Sequence, residues 1–443
     1  MSKGRIWLTN AAYLTLGLPV LGYRMLVKGK DRHGWKHRLG YVPRRDTSRP
    51  AVWFHCVSLG EANLIRLLVE MARDRLSDFD LLVSSTTDTG FERATKLYGA
   101  AGRVFRFPLD LSFWMGRALD RLAPSAIVLV ELETWPNLLE LARRRDIPVI
   151  VVNGRLTEKA FRRYNRVRRL VRPMFQALSL VCAQDRTIAG RFEALGVPPE
   201  RIRLVPSMKF DTAEVADGVA DAAELAGQLG GVDGMDLWVA GGTGNGEERI
   251  ILDAHRRVQQ RCPEARLAIV PRKPERFDEV ADTITRMGFR CVRRSRCRQA
   301  AAQPLARDQV VLGDTMGELR KFYSIAKVAF VGRSLVAMGG SDMMEAAGLG
   351  KPVLVGPYTE NFAEPMKVLT QGGAACVVAN GAELSRQVVE LLTDPAKAAA
   401  MGRCGQETIR ANQGASRQTL DLLCDLLAQR QRQMAANVPS SDA

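Results

Sequence analysis

Of 443 residues, 46% are hydrophobic and 25% charged, a balance that excludes a disordered or collagen-like chain and suits two domains of ordinary size. The 64 Lys and Arg against 48 Asp and Glu leave a formal charge of +16, which favours a polyanionic partner without choosing among nucleic acid, anionic lipid and a phosphorylated substrate. Eight cysteines without a CxxC pair, and only four histidines, give no support to a zinc site and point to reduced thiols in a cytosolic compartment.

In chain order, the first element is Ile6 to Tyr23, a stretch without a charge that carries Trp7, Tyr13 and Tyr23 towards its ends. It is just long enough to cross a bilayer, while Thr9, Asn10 and Pro19 within it leave an in-plane anchor or a core helix open. If it spans, the basic residues after it, from Arg24 to Arg38, outnumber Lys3 and Arg5 before it and keep the bulk of the chain on the cytoplasmic side.

Short β-rich runs then alternate with helical patterns: Val52 to Cys56, Asp80 to Ser84, Ala126 to Val130, Pro148 to Asn153 and Ser179 to Cys182. A second series follows at Leu237 to Ala240, Arg266 to Val270, Gln309 to Leu312, Val328 to Val331, Pro352 to Val355 and Ala375 to Val378. Alternation of this kind predicts parallel sheets, hence two doubly wound α/β halves. The predicted layout is an anchor over 1–30, a first domain over 31–211, a connector over 212–236, a second domain over 237–426 and a disordered tail over 427–443. Ligands of open α/β sheets bind beyond the carboxyl ends of the strands, so the chemistry is sought in those loops and in a cleft between the halves.

In the first half the loop Cys56 to Glu61 runs through Ser58 and Gly60 into a predicted helix, Ala62 to Arg73, and ends in a carboxylate. Glu61 there reads equally as a catalytic acid or base and as a charge on the helix dipole. The hydroxyl run Ser84 to Thr89 is largely explained by capping. After the strand ending at Val130, Glu131 and Glu133 stand close together beside Trp135, near enough to tune each other or to place a substrate hydroxyl. Phe161 to Phe175 predicts one amphipathic helix ringed by Arg162, Arg163, Arg166, Arg168, Arg169 and Arg172, suited to lipid phosphates or to a solvated face.

In the second half, Gly241 to Glu248 opens a helix after a strand, as a phosphate cradle does, with neither Walker nor G-x-G-x-x-G spacing. Arg272 and Lys273 follow the next strand and suit a nucleotide phosphate; Gly339-Gly340 permits close backbone approach, and Glu345 suits ribose hydroxyls. A DNA- or RNA-binding protein would explain the charge, but no helix-turn-helix, zinc finger or RNP run is present.

The ordered set His33 to Gly40, Phe54 to Glu61, Glu131 to Asn137, Val152 to Leu156, Ala183 to Asp185, Lys209 to Asp211, Gly313 to Leu319, Gly350 to Pro357 and Asn361 to Glu364 resembles the 3-deoxy-D-manno-octulosonic acid (Kdo) transferase family. The resemblance implies a GT-B fold of two Rossmann-like domains, with CMP-Kdo as donor and a lipid A precursor, lipid IVA, as acceptor. It further implies inversion at the anomeric carbon without metal or cofactor, no nucleic-acid partner, and attachment to lipids at the cytoplasmic face of the inner membrane. In that picture Glu61 is the general base, with Ser58, Gly60, Glu131, Glu133 and Arg155 on the acceptor side. Lys209, Arg272, Lys273, Met316, Gly317, Glu318, Ser334, Gly340, Asp342 and Glu345 form the donor side, Lys209, Arg272 and backbone donors near Ser334 stabilising the leaving phosphate. The chain departs from the family pattern at Gly244 or Asn245, at Lys273 and at Met338 to Asp342, where histidines are usual, and at Arg333, commonly Gly. These departures leave open a GT-B transferase using another nucleotide sugar, or an inactive lipid-binding paralogue.

Overall fold

The structure, a computed structural model, describes residues 3–27, 33–100, 103–132, 134–231, 235–297 and 304–436. It divides into two compact units, one ending at Thr212 and resumed at Gly414, the other spanning Ala213–Gln413. Each unit holds one seven-stranded sheet in which every pairing is parallel.

The first sheet contains β1 (Ala51–Cys56), β2 (Asp80–Ser85), β3 (Arg103–Arg106), β4 (Ala126–Val130), β5 (Val149–Gly154), β6 (Leu180–Ala183) and β7 (Ile202–Leu204), in the order β3-β2-β1-β4-β5-β6-β7. Its central strands are buried along their whole length because helices cover both faces. Trp53, Phe105 and Phe107 belong to the core on one face, and Val52, Phe54 and Val83 to the core on the other. The second sheet contains β8 (Asp236–Thr243), β9 (Ala265–Pro271), β10 (Arg290–Arg293), β11 (Gln309–Leu312), β12 (Val328–Val331), β13 (Val353–Val355) and β14 (Ala375–Val377), in the order β10-β11-β9-β8-β12-β13-β14.

In both sheets the chain fills one side of its first strand and then crosses to the other side, the second sheet inserting β11 between β9 and the edge strand β10. The switch points therefore lie between β1 and β4 and between β8 and β12, where a crevice opens beyond the strand ends. The strands absent from the predicted set, β3, β7 and β10, are all at sheet edges. Edge strands carry charge that blunts further pairing, so Arg-Val-Phe-Arg and Arg-Cys-Val-Arg lack the apolar run that marks a central strand.

Four expectations are corrected. The helix Ala415–Ala436 is neither part of the second domain nor tail: Ala415, Leu420, Leu423 and Leu427 are buried in the first unit's core. Only residues 437–443 of the predicted tail fall outside the described residues. The segment expected to be a connector is packed into a domain instead: Ala222–Gln228 is helical and Ala222, Leu225 and Leu229 are buried. The helices predicted after β1 and over Phe161 to Phe175 are each two helices: Leu59–Leu64 with Arg66–Arg75, and Glu158–Arg166 with Arg168–Gln176, breaking at Ile65 and Val167.

The N-terminal segment is helical over Lys3–Leu26 with a π turn at Tyr13–Gly17, and none of the described helices is long and apolar enough to cross a membrane. It docks through its polar residues. Asn10 Nδ2 donates to Ser112 Oγ at 2.7 Å, and Asn10 Oδ1 accepts from Ser112 N at 3.0 Å and from Asn137 Nδ2 at 3.1 Å.

Candidate active site

At the switch point of the first unit, the segment leaving β1 turns into the helix Leu59–Leu64 through a reciprocal cap. Ser58 Oγ accepts from Glu61 N at 3.4 Å, while Glu61 Oε1 accepts from the Ser58 hydroxyl at 3.0 Å and Oε2 from Val57 N at 2.8 Å. Ser58-Leu59-Gly60-Glu61 has the Ser-x-x-Glu spacing of a capping box, in a variant where the carboxylate accepts from the N–H one residue before the cap and from the cap's hydroxyl. The cap fixes where the carboxylate points, and burial pushes its pKa up to about 7, with the charge of Glu131 adding to the rise and the Val57 and Ser58 donors opposing it. The capping reading of Glu61 holds, and a carboxyl with its pKa raised towards neutrality is the kind of group that acid–base chemistry at neutral pH would need.

Glu131 leaves β4 on the far side of the switch point with φ of +61°, a left-handed conformation uncommon for a side-chain-bearing residue, fixed by its N–H donating to Val152 O at 2.9 Å. Glu133 lies outside the described residues. Gly60 is exposed and Arg155 half-buried after β5. The hydroxyl loop after β2 is scaffold: Ser85 and Thr87 hydroxyls both donate to Val57 O, at 3.2 and 3.0 Å, and Thr87 also caps the helix Asp88–Tyr98. Lys209 is half-buried on the segment after β7 in this unit, and that segment is fastened by Met208 N donating to Asn153 Oδ1 at 2.9 Å.

At the switch point of the second unit the predicted phosphate cradle is already filled by the protein. Glu247, fully buried, accepts four backbone N–H groups: Gly244 at 3.1 Å and Arg333 at 2.6 Å on Oε2, Ser334 and Leu335 at 2.9 Å on Oε1. Gly332 makes this reach possible, since a Cβ there would stand 2.8 Å from Glu247 Oε2. Ser334 is consequently not the donor that was expected. Its N–H goes to Glu247, its hydroxyl donates to Val331 O, and Oγ accepts from Gly356 N at 2.8 Å.

Around this clip the structure gathers Arg272, Asp342 and Glu345 with Tyr323. Burial and then Asp342 push Glu345 up to about 7, while Arg272 and Arg320 act the other way. The Tyr323 hydroxyl is buried without a hydrogen-bond partner, and burial followed by the charge of Glu345 raises its pKa; a Cβ at Gly241 would meet that hydroxyl at 2.3 Å. Tyr323 and Glu247 escaped the sequence reading. Tyr323 sits in an apolar helical pattern, and Glu247 looks like an ordinary first-turn acid.

The remaining donor-side candidates differ in standing. Lys273 is exposed and paired with Glu275 at 3.4 Å. Met316 is 71% exposed beside Gly317, whose φ is +84°. Glu318 is engaged by the Thr315 hydroxyl and by Arg294 at 3.2 Å. Gly340, φ +80°, donates to Arg333 O at 2.9 Å, and Asp342 accepts from Met344 N at 2.9 Å.

A family model described as 3-deoxy-D-manno-octulosonic-acid transferase (kdotransferase) matches residues 33–212. The 3-deoxy-D-manno-octulosonic acid transferase of Haemophilus influenzae is 33% identical over 405 residues, 91% of this chain and 93% of that one. The protein of the same description from Bordetella pertussis is 32% identical over 385 residues, 85% and 87% of the two chains. Among solved structures, MurG of Acinetobacter baumannii shares the fold with a TM-score of 0.53 at 12% identity, over 85% of this chain and 99% of that one. With two parallel α/β sheets, a carboxyl group held at the first switch point and relatives this similar along most of its length, the chain has a GT-B fold and belongs to the Kdo transferase family.

Proposed function

We propose that this chain transfers Kdo from CMP-Kdo to a lipid A precursor, lipid IVA, in lipopolysaccharide core synthesis. Glu61 removes the proton of the acceptor hydroxyl as its oxygen bonds to the anomeric carbon and the bond from that carbon to the CMP phosphate breaks. A single displacement of this kind inverts the anomeric carbon. The leaving phosphate carries its own charge, so it needs cations rather than a proton donor; Lys209 and Arg272 are the candidates. Glu131, Arg155 and Ser58 belong to the acceptor side, Glu345, Asp342 and the Met316-Gly317 turn to the donor side.

The observation that carries this reading is the Glu61 carboxyl, held by its own capping box at the switch point with a pKa near 7, the range in which a general base works best at neutral pH. The acceptor is a lipid, and the first unit carries a surface suited to meeting it at the inner face of the cytoplasmic membrane. Trp7, Leu26 and Val27 of the N-terminal helix and Leu170 of the Arg-rich pair are 77%, 82%, 66% and 62% exposed, and the arginines of that pair complement anionic headgroups.

The test is transfer of radiolabelled Kdo from CMP-Kdo, generated in place, to a tetraacylated lipid A precursor, comparing the protein with Glu61→Gln. Labelled lipid from the first and none from the second supports the reading. Near-normal turnover by Glu61→Gln removes Glu61 as base, and an unlabelled lipid with both proteins, beside an active relative, means a different donor.

A further inference from the structure

At the second switch point, four backbone donors that could face an anion are already spent: Gly244, Arg333, Ser334 and Leu335 all donate to Glu247. Those four are closed to a phosphate or carboxylate arriving above the Gly241–Gly246 turn, which gives side chains a larger part in holding it. Two arginines stand ready for that. Arg272 follows β9 and Arg333 follows β12, the two strands that flank β8 in the sheet, so their loops border the glycine turn from opposite sides. Among the described residues neither guanidinium is within ion-pairing distance of a carboxylate.

Arg333 is held at some cost. Its φ is +58°, the left-handed region that favours glycine, and the conformation is locked from below by its N–H donating to Glu247 at 2.6 Å and from behind by its carbonyl accepting from Gly340 N at 2.9 Å. The side chain is fixed too. One guanidinium nitrogen donates to Met338 O at 3.1 Å, and the stem lies over Gly244, where a Cβ would stand 3.0 Å from Arg333 Cγ and 2.5 Å from Met338 Sδ. A strained backbone, a turn thinned to glycine and a carbonyl strut together aim one partly exposed, unneutralised cation over the turn. Backbone strain kept in place by surrounding contacts is a pointer to function, because nothing about packing requires an arginine there.

We propose that Arg333 is a ligand of the donor's oxyanion: with Arg272 it grips the phosphate of the nucleotide or the carboxylate of the acidic sugar. The assignment deepens the donor reading above and rests on it. It also gives a physical sense to the residues that meet in this corner, since Arg333, Gly244 and Met338 fit one another: a bulkier residue at position 244 would displace the arginine stem.

The experiment is calorimetric binding of CMP and of cytidine to the full chain and to Arg333→Gln, Arg333→Lys and Arg333→Gly, with thermal unfolding of each and KM for CMP-Kdo. The expected result is CMP binding weakened about 10- to 100-fold in Arg333→Gln, the range for a lost charge-assisted hydrogen bond. Cytidine binding is unchanged, the loss is partly restored in Arg333→Lys, and Tm is undiminished in Arg333→Gly, which relieves the strain. That pattern assigns the phosphate. CMP binding unchanged with KM for CMP-Kdo raised by the same factor assigns the sugar carboxylate. Wild-type CMP binding and KM in Arg333→Gln, or equal weakening of CMP and cytidine, overturns the proposal. If the wild type ignores CMP but binds another nucleoside phosphate, the CMP-Kdo reading has failed, and the same comparison with that nucleotide against its nucleoside decides the role of Arg333; binding of no nucleotide at all overturns both.

Discussion

In the proposed mechanism Glu61 serves fold and chemistry together. A carboxylate that only capped a helix would be replaceable by glutamine with one acceptor oxygen kept, so Glu61→Gln should lose little stability, about 1 kcal/mol on the usual scale of caps. As the proposed base it should lose about 100- to 10,000-fold in kcat. Denaturant melts beside turnover of labelled Kdo separate the two. The ionised form is the active one, so kcat/KM should rise about tenfold per pH unit below about 7 and level off above it, given the raised pKa; a flat profile from about pH 5 to 8 in the wild type would deny Glu61 that role. Glu247 is the contrasting case, a buried acid with four donors and no opening to solvent. Glu247→Ala should cost about 3 kcal/mol or more and release the loops after β8 and β12 together, read as lowered Tm with CMP binding lost.

Among the elements, the helix Pro136–Arg144 depends on a cap from outside itself. Trp135 at its N-cap offers no side-chain acceptor, and Asp110 supplies one, accepting from Asn137 N at 3.0 Å and Leu138 N at 2.8 Å. Burial lifts Asp110 to about 7, against these donors and the Tyr13 hydroxyl. A carboxyl whose folded pKa lies above its unfolded value near 3.8 stabilises most below that value and loses the contribution as pH rises through the folded one. Stability from this site should therefore decline between about pH 4 and about pH 7, and Asp110→Asn should flatten that part of the profile in urea melts across the range. The N-terminal helix meets the same polar cluster through Asn10 and Tyr13, so the element read from sequence as a separate anchor is docked on the first unit.

For the whole molecule, the divisions after Thr212 and after Gln413 decide what can be separated, because a chain segment can be removed only where it leaves no apolar face bare. Cutting after Gln413 strips the helix Ala415–Ala436 from the first unit's core, exposing the face that Ala415, Leu420, Leu423 and Leu427 cover. A chain ending at Gln413 should lose cooperative unfolding of the first unit, whereas residues 213–413 expressed alone should fold and bind CMP; a calorimetric trace of each decides it. Replacing Arg162, Arg163 and Arg166 by serine should weaken binding to anionic vesicles by about 1 kcal/mol per arginine, measured by flotation, with no effect on neutral vesicles.

Central strands such as β1, β4, β8 and β12 were legible because strands buried on both faces of a parallel sheet must be continuously apolar, and from strand ends alone the loops bearing Glu61, Glu131, Arg272 and Glu345 followed. The Ser58–Glu61 spacing carries a capping box as well, which tied the carboxyl to its own helix only once the two hydrogen bonds were seen. Edge strands were not legible, because their exposed side carries charge, and the affiliation of the last helix was not, because an amphipathic face does not say which core it covers. The sequence by itself determined two doubly wound halves and the residues at their strand ends. Only the tertiary structure decided which backbone donors at the second switch point are taken, since that depends on where distant chain segments meet: Glu247 takes the donors of a loop 86 to 88 residues away.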